Sequence, residues 1–137
     1  MPISYQFSAD KRTIRTTCTG HLTLSEVINH FQALSRDPEC PERLDVFLDV
    51  SDVNSLPDTR QISAVVTQMN KVRPRVRFEA CAIVASRDAL FGMMRMFEVV
   101  AEELFRVTHT FLSATEAEAW LALQQKPGAA KPADGSA

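Results

Sequence analysis

The chain has 137 residues, a net charge of -2 at pH 7 and an apolar content of 45%. That is enough chain for one buried core and too apolar for a disordered one, and so small a charge gives no overall drive toward nucleic acid or a membrane surface. No apolar run approaches the ~20 residues that span a bilayer, and Met1-Pro-Ile-Ser-Tyr5 lacks the basic and then apolar segments of a secretory signal.

Ile3 to Phe7 alternates apolar and polar residues, as a half-buried strand should. Ala9-Asp10-Lys11 reads as a polar turn, and the β-branched run Thr13 to Thr19 completes a hairpin that Gly20 ends. Thr23-Leu-Ser-Glu26 is a capping box, with a hydroxyl to accept a free backbone N–H and an acid to reach back. Leu24, Val27, Ile28, Phe31 and Leu34 follow at helical spacing until Asp37-Pro38. The continuous apolar centre of Leu44 to Val50 predicts a central strand covered on both faces.

Asp58-Thr-Arg-Gln61 opens a second helix, whose stripe is Ile62, Val65, Val66, Met69 and Val72 and which Pro74 breaks. Phe78 to Ala85 is a further apolar strand. Ser86-Arg-Asp88 supplies a cap and an early acid for a third helix from about Asp88 to Leu104. Arg106 to Leu112 alternates as a strand with one wetter face. Ser113-Ala-Thr-Glu116, a box of the same kind as Thr23 to Glu26, then opens a last helix, expected over Glu116 to Leu123. From Gln124 the composition turns to Lys, Pro, Gly, Ala, Asp and Ser. Such a tail is expected to be disordered, because it cannot bury enough apolar surface to offset its ordering entropy.

The predicted order is β-β-α-β-α-β-α-β-α: one α/β domain over residues 1–124 with a tail over 125–137. Its core is a five-stranded mixed sheet with an antiparallel first strand, and each later β-α-β step is a parallel crossover. That order, with Leu48-Asp-Val-Ser-Asp-Val53 closing the third strand, resembles the STAS domain of bacterial anti-sigma-factor antagonists and the looser SpoIIAA-like set of small proteins. Phe91-Gly-Met-Met-Arg-Met-Phe97 and Glu116-Ala-Glu-Ala-Trp-Leu121 are similar to the looser set in particular. The resemblance implies a cytoplasmic regulatory module that works by protein recognition.

In the antagonists the strand end leads to an Asp-Ser-Ser/Thr-Gly stretch whose serine takes a phosphate. Laid on this chain, the stretch falls on Pro57, Asp58, Thr59 and Arg60, so Asp58 stands at the phosphate-accepting position and the glycine is missing. Control by that serine phosphorylation is therefore not expected. Asp58 reads either as a helix cap or as a fixed negative charge where the family has a switchable one. Ser51, Ser55 and Thr59 are the remaining acceptors.

Two surfaces are candidates for contact. The first is the loop after the third strand: Ser51, Asp52, Asn54, Ser55, Asp58 and Thr59. The second is the third helix, where Leu90, Met93, Met94, Phe97, Val100, Ala101 and Leu104 form a core stripe by spacing, Met96 and Val99 lie beyond its edge, and Phe91 falls on the side shared with Arg95, Glu98 and Glu102. Phe91, Met93, Met96, Val99 and Val100 make its candidate contact surface, because methionine-rich apolar faces adapt to partners. The partner would be another protein or a second copy. The alternative is a small apolar or lipid ligand held between this helix and the sheet.

Other chemistry is thinly represented. Lys71-Val-Arg-Pro-Arg-Val-Arg77 is basic, yet it has no interleaved aromatics and reads as a solvated connection, so no nucleic-acid partner is expected. Asp45, Asp49, Asp52 and Asp58 read as turn formers and caps, with no metal expected. Cys18, Cys40 and Cys81 are odd in number and widely spaced, which argues against a disulfide framework or zinc knuckle and fits a reducing compartment. Cys18 and Cys81 are expected buried in strands and Cys40 exposed in a loop. His21, His30 and His109 fall in separate elements without a nucleophile. No phosphate-binding glycine loop is present. Neither an enzyme nor a cofactor is expected.

Overall fold

A computed structural model describes residues 2–125. The elements are β1 (Ile3–Phe7), β2 (Thr13–Gly20), α1 (Leu24–Arg36), β3 (Arg43–Val53), α2 (Thr59–Val72), β4 (Arg77–Val84), α3 (Asp88–Val100), β5 (Val107–Phe111) and α4 (Ala114–Gln124). The strands form one mixed sheet in the order β1-β2-β3-β4-β5. β1 is antiparallel to β2, and every other neighbouring pair is parallel. The α/β class, the element order and the antiparallel first strand match the sequence expectation.

Local chemistry accounts for each element. In the β1–β2 hairpin, Lys11 takes a positive φ of 60°, and Asp10 Oδ1 accepts from Ser8 Oγ (2.6 Å) and from the Arg12 N–H (3.0 Å). Gly20, at φ 69°, ends β2 in a conformation that a side chain would strain. Two of the three expected reciprocal capping boxes form: Thr23 with Glu26 on α1, and Asp58 with Gln61 on α2. At α4 only half of the third forms: Ser113 accepts from the Glu116 N–H and caps the helix, without a return bond from the Glu116 side chain among the described residues.

β3 occupies the centre of the sheet, with Leu44 and Phe47 buried. One face packs against α1, α2 and α3 around Leu34, Ile62, Met69, Leu90 and Phe97. The other carries α4, where Ala80, Ala82 and Val84 of β4 meet Ala117 and Leu121. The alanines Ala80, Ala82 and Ala117 remove bulk where helix and strand meet. Asp45, expected as a turn former or cap, is instead buried within β3, where its carboxylate joins the layers: Oδ1 accepts from the Ala80 N–H (3.0 Å) and Oδ2 from Gln125 Nε2 (2.9 Å). Gln125, assigned to the tail by composition, thus caps α4 and is tied to the sheet; residues 126–137 lie outside the described ones.

Three further expectations are corrected. Ser86 does not cap α3: the N-cap is Arg87, without a side-chain cap bond, and its guanidinium donates instead to the Val53 carbonyl at 2.8 Å. α3 stops at Val100, and residues 101–104 form turns that turn Ala101, Leu104 and Phe105 into the core. Cys40 is buried at 7% exposure, because its N–H bonds back to the Asp37 carbonyl and folds the proline-flanked loop inward.

Candidate functional site: an apolar cavity

Between the sheet and its three-helix face lies a cavity of about 170 Å³. Its floor is the alternating inward side of the strands: Ile14, Thr16 and Cys18 of β2, and Val46, Leu48 and Val50 of β3. Its roof comes from Val27, His30 and Phe31 of α1, and from Ile62, Val65 and Met69 of α2. Leu90, Met94 and Phe97 of α3 close one side. Val46 and Leu48 are on the central strand, yet they remain only half-buried. Strand and helix patterning brings apolar faces together here, but their side chains do not fill the space between them.

The cavity opens at the carboxyl ends of β2 and β3, where parallel sheets commonly place ligands. Leu22, Thr23 and Leu24 form one rim; Val53, Ser55, Pro57 and Gln61 form the other. Among the lining residues only Thr23 and Leu24 are exposed, and both belong to this end. A bond from the Leu22 N–H to Ser55 Oγ (3.3 Å) joins the two rims. The Asn54 N–H to Gly20 carbonyl bond (2.9 Å) runs alongside it.

Among the described residues no Asp, Glu, Lys or Arg lines the cavity. Its titratable groups are held in unreactive forms. Burial lowers the His30 pKa to about 4, so the imidazole is neutral at pH 7. Burial, helped by the Asp49 carboxylate, pushes the Cys18 thiol up to about 12. Burial and the Glu98 charge raise Cys81 as well. A thiol without thiolate character is a poor nucleophile, and an apolar chamber of this kind is suited to binding.

The expected loop contributes part of this site. Ser55 lines the rim, and Asp58 caps the helix that carries Gln61. Asp52, Asn54 and Thr59 are exposed, and Ser51 is half-buried with its N–H bonded to Asp49 Oδ1 (2.9 Å). The expected α3 residues divide. Phe91, Met93 and Met96 are half-buried against the core, whereas Val99 and Val100 are exposed at 68% and 44%. Val100 therefore does not belong to the core stripe, and Phe91 does not lie on a wet face. None of these five lines the cavity; Leu90, Met94 and Phe97 do so in their place. Val27, His30, Val65 and Met69 went unrecognised as site residues, because a helical stripe reads the same over a filled core as over an unfilled one.

The basic segment 71–77 borders an open polar depression at the far end of the sheet, where Arg73, Arg77 and Arg106 are mixed with Glu79 and Glu103. Among the described residues no group of three or more acidic, His or Cys side chains could hold a metal ion, and no helix is long and apolar enough to cross a membrane. No family model matches the chain, and neither does any curated protein.

Proposed function

We propose that the protein is a non-enzymatic carrier or sensor of a small apolar molecule, held between the sheet and helices α1 to α3. The observation that carries this reading is the apolar cavity itself, with central-strand side chains left only half-buried at its floor. Dry apolar cavities of about 150 Å³ take up benzene-sized molecules, so a space of about 170 Å³ is large enough to be a binding site. The neutral imidazole and the protonated thiols favour retention over reaction.

The test is a titration of the purified protein with benzene, followed by the methyl resonances of Met69 and Met94. Saturable shifts at both methyls are expected. Unchanged methyl resonances up to the solubility limit would refute the reading.

A second reading, regulatory recognition of a partner protein by a STAS-like module, is favoured by exposed Leu56 in the loop after β3 and by Val99 and Val100 on α3. The two readings meet in that loop. Ser55 faces the cavity and Leu56, next to it, faces solvent at 50% exposure, so occupancy inside can alter what the loop presents outside. A kinase incubation followed by mass spectrometry would test the expectation that serine phosphorylation is not the control: modification of Ser51, Ser55 or Thr59 overturns it.

A further inference from the structure

We infer that the cavity selects an uncharged organic molecule of about six to nine non-hydrogen atoms carrying a hydrogen-bond-accepting oxygen, such as a ketone, ester or amide carbonyl. The inference rests on reading the cavity as a ligand site and adds the ligand's size, charge and polarity.

Size comes from the volume. If about 150 Å³ accommodates the six carbons of benzene, a space of about 170 Å³ takes only slightly more. A long acyl chain does not fit within it.

Charge comes from the lining. A buried ion needs an opposite charge or several hydrogen bonds to offset its lost hydration. Among the described residues no Asp, Glu, Lys or Arg lines the cavity, and the His30 imidazole is neutral at pH 7. A carboxylate or an ammonium group would be stranded there.

Polarity comes from the donors left at the rim. The Asp58 N–H can only donate, and it donates to Gln61 Oε1 at 3.0 Å. That bond fixes the orientation of the amide and leaves both Nε2 hydrogens in hand. Ser55 Oγ accepts from the Leu22 N–H and keeps its own hydroxyl hydrogen. The Thr23 hydroxyl, by contrast, is spent on Glu26 Oε1 at 3.0 Å. Gln61 and Ser55 thus leave hydrogens free at the rim, and the ligand group that meets them there is an acceptor. The apolar remainder of such a molecule would lie inward against Val46, Leu48, Val65 and Met69.

Three probes of nearly equal size separate these properties: acetophenone, ethylbenzene and benzoate, each titrated at pH 7 against the Met69 and Met94 methyls. Both neutral probes are expected to shift the methyls, with acetophenone binding about two- to tenfold tighter than ethylbenzene, the range of one net hydrogen bond. Benzoate is expected to leave them unmoved. Gln61→Glu keeps a capping box, since Glu serves that role, but removes the amide donors, and it should reduce the acetophenone preference. Ser55→Ala leaves the α2 cap untouched and is the second variant. Benzoate binding as tightly as acetophenone, no acetophenone preference in the unaltered protein, or a preference that survives both substitutions would each overturn the inference. Failure of both neutral probes to shift either methyl would refute the cavity as a ligand site altogether.

Discussion

Leu22 and Ser55 are 33 residues apart in sequence, yet the N–H of one donates to the hydroxyl oxygen of the other at 3.3 Å. The bond ties the loop after β2 to the loop after β3 across the cavity mouth. Removing its acceptor in Ser55→Ala leaves a part-buried N–H without that partner, at a cost of about 1–3 kcal/mol if water cannot replace it. Faster hydrogen exchange at the Leu22 amide is expected, with the exchange of the distant β4 amides unchanged. Equal exchange in the variant would show that the bond does not restrain the mouth.

Asp58 separates a capping role from a charge role. Its carboxylate accepts from the Gln61 N–H at 2.8 Å. Asp58→Ala should destabilise the fold by about 0.5–2 kcal/mol, whereas Asp58→Ser, which restores a good N-cap, should cost only a few tenths. Urea midpoints measure both. A serine variant as weak as the alanine one would assign the stabilisation to the charge at the helix dipole instead.

His30 predicts an acid-sensitive stability. Its pKa falls from 6.5 to about 4 on folding, because burial disfavours the charged ring. The unfolded chain therefore binds more protons in this window, so the contribution is complete above pH 6.5 and is lost as pH falls toward 4. Its size is up to about 3 kcal/mol. Asp10 and Asp37, whose pKa values are lowered from 3.8, act below that window. Urea unfolding at pH 7 and pH 4.5 should show a difference that His30→Phe largely abolishes. A pH dependence that the substitution leaves intact would assign the effect elsewhere.

The α3 surface is tested best at Val99. Met96 packs against the core, so a lysine there would report on stability as well as contact. Val99 is 68% exposed, and Val99→Lys should change stability by no more than about 0.5 kcal/mol. Under the recognition reading, the variant shows an altered elution volume or loses a co-purifying partner. An unchanged oligomeric state with the same partners retained would remove this face from the proposal.

Much of the fold was legible because its signals are local. Thr23 with Glu26 and Asp58 with Gln61 are complete within four residues, and both form as written. The apolar centre of Leu44 to Val50 pointed to an interior strand, and β3 is indeed central, although Val46 and Leu48 on its cavity face stay half-buried. Ser86 misled because Arg87 found a tertiary acceptor at Val53, and a competition of that kind has no trace in the local pattern. Cys40 misled because a short turn, not a periodic element, carries it inward. The cavity was hardest to foresee. Val65 and Met69 obey the same spacing whether or not their neighbours fill the space beneath them, and only three-dimensional packing reveals the shortfall.

The sequential strand order governs how the sheet can be assembled. Each strand pairs with the one made just before it, so the sheet can grow outward from the β1–β2 hairpin by simple addition. No newcomer has to wedge between partners already joined. A chain emerging from its amino end can lay down the layer as it is synthesised, and the open margin that awaits the next strand stays short-lived at every stage.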